Sequence, residues 1–288
     1  MVSGLRLMLW GFFKKIVVAD NFATFSDQVF NDVHSYSGLP LIVGILFYSI
    51  QIYCDFSGYS DIAIGSARVM GFNLMTNFKR PYLAKSIAEF WKRWHISLST
   101  WFRDYLYIPL GGSRVAIPRY YLNLFIVFMV SGLWHGASWN FVIWGALHGI
   151  YQIAGHMTKD VQSRIFQPMG KLGGLLENWI TVALAVFAWI FFRAATFSDA
   201  KYFATHLFAK SSHSLQQVID IITPQNLVTL GVGFLILYFV DRKQETTNVG
   251  AWVDAKPQWQ RWGIYYFFTF VILTFGYFGA VQFIYFQF

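Results

Sequence analysis

The chain has 288 residues, 56% hydrophobic and only 12% charged, whereas soluble domains carry about 25% charged residues. With a mean hydropathy of +0.44, that balance excludes an ordinary soluble domain and points to a membrane protein. The net charge of +8 would suit a nucleic-acid binder, but the basic residues lie between apolar runs and no nucleic-acid motif is present, so no nucleic-acid partner is expected; the excess reads as cytoplasmic-side charge facing anionic lipid.

A bilayer core takes about 20 helical residues. By that measure the predicted spans run from Leu5 to Val18, a weak one interrupted by Lys14 and Lys15, and from Leu39 to about Phe56, a strong one. Tyr120 to Trp134 and Trp139 to about Ile153 form a close pair around "HGAS", followed by Trp179 to Phe192, Leu227 to Val240 and Gly263 to Ala280. Several are short, which predicts broken or re-entrant helices covered by protein. The fold class expected is all-α: a polytopic membrane protein with transmembrane, re-entrant and amphipathic interfacial helices, in one domain over residues 1–288. The opening segment reads as a span and not as a cleavable leader, because the lysine pair breaks its apolar core.

Residues between Phe22 and Gly38 read as a loop with Asp27 and Asp32 and no basic residue, whereas residues 65 to 119 carry nine Lys and Arg. The positive-inside rule puts the second region in the cytoplasm and the first outside. Ser86 to Pro109, "SIAEFWKRWHISLSTWFRDYLYIP", repeats Ile87, Trp91, Trp94, Leu98, Trp101, Tyr105 and Ile108 at helical steps, with Lys92, His95, Ser99 and Arg103 opposite. That pattern predicts one interfacial amphipathic helix.

The stretch "SGLWHGASWNFVIWGALHG" holds His135 and His148 in an apolar setting. An ionisable residue at membrane depth usually marks a pathway or a site, which favours a functional His135 over a packing one. Glycines on both sides of His135 would let backbone or substrate approach. His95 reads equally as a site residue or as part of a solvated stripe. His148 and His156 read as packing or helix-end residues. Asp55 and Asp61, in "YCDFSGYSDIAIG", sit at an expected helix break around Ser57, Gly58 and Ser60, where a carboxylate would cap the next helix or do chemistry. The sole cysteine, Cys54, excludes an intramolecular disulfide and a Cys-rich metal site. No carboxylate or thiol clusters with the histidines at ligand spacing, so no metal is expected.

Taken together, "KKIVVADN", "YCDFSGYSDIAIG", "FWKRWHISLSTWFRDYLYIPLGG", "SGLWHGASWNFVIWGALHG" and the terminal "FIYFQF" resemble the membrane-bound O-acyltransferases, most closely the alginate O-acetylation branch. The resemblance implies acyl transfer to a hydroxyl, with no bound cofactor and an acyl thioester (acetyl-CoA or an acyl carrier) as donor. It puts the family's catalytic histidine on His135 and a second, donor-side histidine on His95. Asp55, Trp94, Ser99, Arg103, Asp104 and Trp134 become the expected lining or support of the substrate channel. The implied partners are a cytoplasmic acyl donor, a periplasmic or extracellular acetyltransferase, an exported polysaccharide and membrane lipids. The implied place is the bacterial inner membrane. Members normally carry further spans before "KKIVVADN", so N-terminal spans are expected to be missing here.

The chemistry explains an imidazole in a greasy stretch. A base must take the hydroxyl proton as oxygen attacks the thioester, and an apolar layer keeps water from the activated acyl group. Competing readings are an ion-coupled transporter using His135, Asp55 and Asp61, and a non-catalytic scaffold of an acetylation complex.

Overall fold

The computed structural model describes every residue except 211–213, 223, 280–282 and 284–288. In chain order the α-helices are α1 (Val2–Phe12), α2 (Asp20–Asn31), α3 (Leu39–Val69), α4 (Ile87–Arg93), α5 (Ile96–Phe102), α6 (Ile117–His135) and α7 (Trp139–Met157). They continue as α8 (Lys159–Phe166), α9 (Lys171–Arg193), α10 (Phe197–His206), α11 (Ser214–Ile221), α12 (Pro224–Thr246), α13 (Val249–Asp254) and α14 (Gln258–Phe275). No strand occurs among the described residues. Among them α3, α6 and α9 are long and apolar enough to cross a membrane. α7 and α14, which cover two of the expected spans, match the length but not the mean hydropathy. All but one residue of the terminal "FIYFQF" motif, and Ala280 at the end of the last expected span, lie outside the described residues.

The contacts divide the chain into two compact units, Met1–Thr76 with His206–Phe288, and Asn77–Thr205. In the first unit, α1 runs through a π-helical segment, Phe13–Ala19, into α2. A π turn adds a residue to the helical repeat and shifts the register of the faces. Here it turns Phe13, Lys14, Val17 and Val18 all inward. The Ile16 carbonyl within it accepts from the Tyr277 amide at 3.0 Å just beyond α14 and from Asn21 Nδ2 at 3.3 Å.

α3 lies antiparallel to this rod. The backbones nearly touch where glycines face each other: a Cβ on Gly11 would stand 2.7 Å from the Gly58 carbonyl oxygen, and one on Gly4 2.6 Å from that of Gly65. Close approach through small residues is how helices associate where lipid removes the hydrophobic drive. Gly58 therefore packs the helix and does not break it; α3 runs unbroken for 31 residues, which corrects the expected break at Ser57, Gly58 and Ser60. The expected loop from Phe22 is likewise mostly helix, because Phe22, Phe25, Val29 and Phe30 bury one face of α2.

The lysines are neutralised in this packing. Lys14 Nζ lies 2.8 Å from Asp61 Oδ2 and donates to Ser57 Oγ at 2.9 Å. Lys15 Nζ lies 2.7 Å from Asp20 Oδ1 and 2.7 Å from Asp55 Oδ1. Asp55 is thus an ion-pair partner in mid-helix and not a cap.

The second unit is built on the α6–α7 hairpin, α9 and the short helices α4 and α5. Gly132 on α6 and Gly145 on α7 let the hairpin backbones meet, the first against the Phe141 carbonyl and the second against that of Phe128. Asparagines tack loops to helices. Asn123 Nδ2 donates to the Leu110 and Gly112 carbonyls, Asn140 Nδ2 to that of Ala194, and Asn178 Nδ2 to those of Tyr82 and Ala84. In a dry setting each such bond also satisfies a loop carbonyl that water would not reach.

Candidate active site

The expected amphipathic helix from Ser86 to Pro109 is broken. α4 starts properly: the Ser86 hydroxyl accepts from the Glu89 amide at 3.1 Å, and Glu89 Oε2 accepts from the Lys85 amide at 2.7 Å. It ends at Arg93. Trp94 is extended, and His95 adopts a left-handed conformation with φ 41° and ψ 56° before α5 begins. Only a few per cent of non-glycine residues take positive φ, with histidine among the enriched types. The apolar face predicted as continuous is consequently divided: Trp94 is buried, whereas Trp101 and Tyr105 are exposed.

Trp94 packs between Phe78, Phe90 and Trp189, at ring-centroid distances of 5.1, 5.5 and 5.0 Å. Ser99 turns back on the break, its hydroxyl donating to the Trp94 carbonyl at 3.3 Å. The break thus carries its own wall and brace, and His95 is its exit point. The chain continues through a π-helical turn, Arg103–Tyr107. Arg103 and Asp104 pair with each other at the surface, at 2.7 and 3.2 Å. Both are exposed, and the structure engages them with one another instead of with the histidines.

His135 is the last residue of α6. Gly136 follows with φ 154° and ψ 160°, a conformation open to glycine. Ser138 then caps α7, accepting from the Asn140 amide at 3.3 Å. The half-buried His135 ring lies among Trp134, Phe141, Trp144 and Phe192, with centroids 5.0, 6.1, 5.1 and 4.9 Å away. Trp134 itself is 55% exposed, so it closes the outer side of this box. Burial pushes the His95 imidazole down to about 4 from its ordinary 6.5. The second unit thus holds two imidazoles 40 positions apart in the chain, one in an aromatic box and one at a helix break.

His148 is different. It is fully buried on α7, and Trp91 Nε1 donates to its Nδ1 at 3.2 Å. An indole nitrogen only donates, so Nδ1 is the acceptor and the proton of the neutral ring sits on Nε2. Phe90 and Phe128 stack on it, with centroids at 6.5 and 6.1 Å. His148 therefore joins α4 to α7 and packs the floor of the unit. His156 is exposed in the last turn of α7, where its Nδ1 meets the Tyr121 hydroxyl at 3.2 Å. Sequence reasoning missed Trp144, Phe192 and Asn77; they are single aromatic or polar residues in apolar or loop surroundings and carry no local signal.

Of the expected site, the second unit holds His95, His135, Trp94, Ser99, Arg103, Asp104 and Trp134. Asp55 belongs to the first unit, tied to Lys15.

The model of the "MBOAT, membrane-bound O-acyltransferase family" matches residues 2–198. The probable alginate O-acetylase AlgI of Pseudomonas aeruginosa is 40% identical over 240 residues, covering 83% of this chain and 44% of that protein. The peptidoglycan O-acetyltransferase of Helicobacter pylori is 45% identical over 198 residues, covering 68% of this chain and 37% of that protein. The teichoic acid D-alanyltransferase of Bacillus subtilis is 29% identical over 157 residues, 51% of this chain and 39% of that one. The chain spans about half the length of the alginate relatives it matches. The matched region begins in α1 and ends at the start of α10, taking in the lysine pair, the whole of α3 and both histidines, and on that evidence the chain belongs to the membrane-bound O-acyltransferase family.

Proposed function

We propose that this chain carries the transfer site of a membrane O-acyltransferase that moves an acetyl group from a thioester to hydroxyls of an exported polysaccharide. His135 acts as general base. Its ring nitrogen takes the hydroxyl proton as the acceptor oxygen attacks the thioester carbonyl; the new C–O bond forms, the C–S bond breaks, and the departing thiolate regains the proton. The aromatic box around His135 keeps water from the activated acyl group. His95 lines the donor side, with Trp94 and Ser99 holding its backbone; Arg103, Asp104 and Trp134 support the channel. The donor is a cytoplasmic acetyl thioester, on coenzyme A or a carrier. The acceptor side involves a periplasmic or extracellular acetyltransferase partner. The location is the bacterial inner membrane.

The observation that carries this reading is the aromatic enclosure around the His135 imidazole, in a chain whose relatives are named for acyl transfer to alginate and peptidoglycan. The ion-pairing of Asp55 and Asp61 with lysines speaks against a transporter relay, which needs carboxylates that exchange protons. Orientation follows the charge asymmetry, with Ser35 external and Ser113 cytoplasmic; cysteines placed there should label from opposite faces.

The test is acetyl transfer from labelled donor in membrane vesicles. A general base contributes on the order of 10²–10⁴-fold, so His135→Ala should cut the rate by that factor at unchanged expression and dispersity. A loss under about tenfold would remove His135 from the base's role.

A further inference from the structure

We infer that Asn77 is a positioning residue for His95, acting as a helix cap supplied from 18 residues before it in the chain. The inference rests on the donor-side place given to His95 above.

A residue at the N-cap of a helix normally spends its own side chain on the first free amides. His95 holds that place for α5, yet its side chain makes no cap bond. Asn77 does the work instead. Its Oδ1 accepts from the Ser97 amide at 3.0 Å, and its backbone carbonyl accepts from the Ile96 amide at 3.0 Å. Two of the first-turn amides of α5 are therefore satisfied by one residue of a preceding loop.

The same loop grips the other side of the break. The Lys79 amide donates to the Arg93 carbonyl at 2.8 Å. Arg93 Nη1 returns to the Lys79 carbonyl at 3.4 Å, and Glu89 holds the guanidinium through Oε1 at 2.6 and 3.0 Å. Residues 77 to 79 thus lie along residues 93 to 97 like a splint across the break. A left-handed non-glycine residue persists only where its surroundings over-determine it, and this splint supplies the constraint. Its effect on the chemistry follows. Relieved of capping, the His95 imidazole is directed by the backbone φ that the splint enforces, and a misplacement of about 1 Å at a reacting group costs on the order of 10²-fold.

The test compares Asn77→Leu and Asn77→Ala, which lose the Oδ1 acceptor, with Asn77→Asp, which keeps it. Two readouts are taken on the whole chain in detergent. The first is carbethoxylation of individual histidines by diethyl pyrocarbonate, followed by mass spectrometry, with the exposed His34 and His156 as internal references. The second is acetyl transfer. The reactivity of His95 relative to the references should change severalfold in Asn77→Leu and Asn77→Ala and stay at the wild-type level in Asn77→Asp. The turnover number should fall by roughly 10- to 100-fold in the first two, with KM for the acceptor unchanged and activity largely restored in Asn77→Asp. Equal His95 reactivity in all four proteins overturns the positioning role, whatever the activity. A reactivity contrast in a chain whose wild type transfers no acetyl group leaves the splint standing and overturns the function proposed above. Should Asn77→Leu aggregate, Asn77→Ala decides.

Discussion

Lys15→Met should destabilise the first unit sharply. Methionine keeps a long flexible stem and removes the charge alone. In the wild type one ammonium serves two carboxylates, Asp20 and Asp55, each 2.7 Å away and with side chains only 7% and 4% exposed. At 4 Å and an effective dielectric constant of 20, a single pair attracts by about 4 kcal/mol, and desolvation offsets much of this. Removing one partner of a buried pair nevertheless costs about 3–5 kcal/mol, because the remaining charge is stranded. Two carboxylates are stranded here, which puts the expected loss at the upper end, about 5 kcal/mol. For a chain of this size roughly 2–4 °C of melting temperature goes with each kcal/mol, so the midpoint should fall by roughly 10–20 °C. The assay is the monodisperse fraction of detergent-solubilised protein after heating, read by size exclusion. Lys15→Met/Asp20→Asn/Asp55→Asn removes all three charges and should recover most of the loss. A Lys15→Met midpoint within about 2 °C of the wild type, less than 1 kcal/mol by the same conversion, would refute the buried-cluster reasoning.

Burial lowers the His95 imidazole to about 4. Between that value and its ordinary 6.5 the unfolded chain binds the proton and the folded one does not, so its contribution to stability is full above 6.5 and is lost as pH falls towards 4. The NMR titration of His95 should therefore have its midpoint below about 5, and a midpoint near the ordinary histidine value of about 6.5 would contradict it. Gly58→Ala should cost about 1–3 kcal/mol by overpacking, because its Cβ would stand 2.9 Å from the Gly11 carbonyl oxygen and 3.1 Å from the Lys15 amide nitrogen. Gly155→Ala, with nothing within 4 Å of the new Cβ, should be neutral or stabilising; equal melting of the two variants would count against glycine-mediated packing.

The α6–α7 hairpin was legible because the apolar runs are long and the punctuation between them, Gly136 and Ser138, is strong local chemistry. The site was half legible: His135 stood out as an ionisable residue in an apolar run, and the family resemblance pointed to His95. The break beside His95 was not legible. The three- and four-residue steps from Ile87 to Ile108 stay in phase across it, and the groups that hold it, Asn77 and Lys79, lie in a preceding loop. α2 was hidden by Asp27 and Asp32, whose charge reads as loop, although the apolar face of Phe22, Phe25 and Val29 is at helical spacing. Gly58 misled for a physical reason: glycine that would weaken an isolated helix becomes a contact surface when another backbone lies against it.

The facing glycines and the crossed ion pairs of the first unit also bear on how the chain enters a membrane. The rod of α1, the π segment and α2 carries Lys14, Lys15 and Asp20, and α3 carries Asp55 and Asp61, which pair with Lys15 and Lys14. An unpaired lysine or aspartate at the centre of a span costs about 2.5–3.5 kcal/mol to insert. Delivered one after the other, Lys14 enters without Asp61 and α3 enters with two unpaired carboxylates; delivered together, each finds its partner. Biogenesis should accordingly favour a hairpin that leaves the translocon with its ion pairs formed. Glycosylation mapping of residues 1–31 should show poor insertion when they are translated alone and efficient insertion when α3 follows, and equal insertion in both cases would argue against pairwise entry.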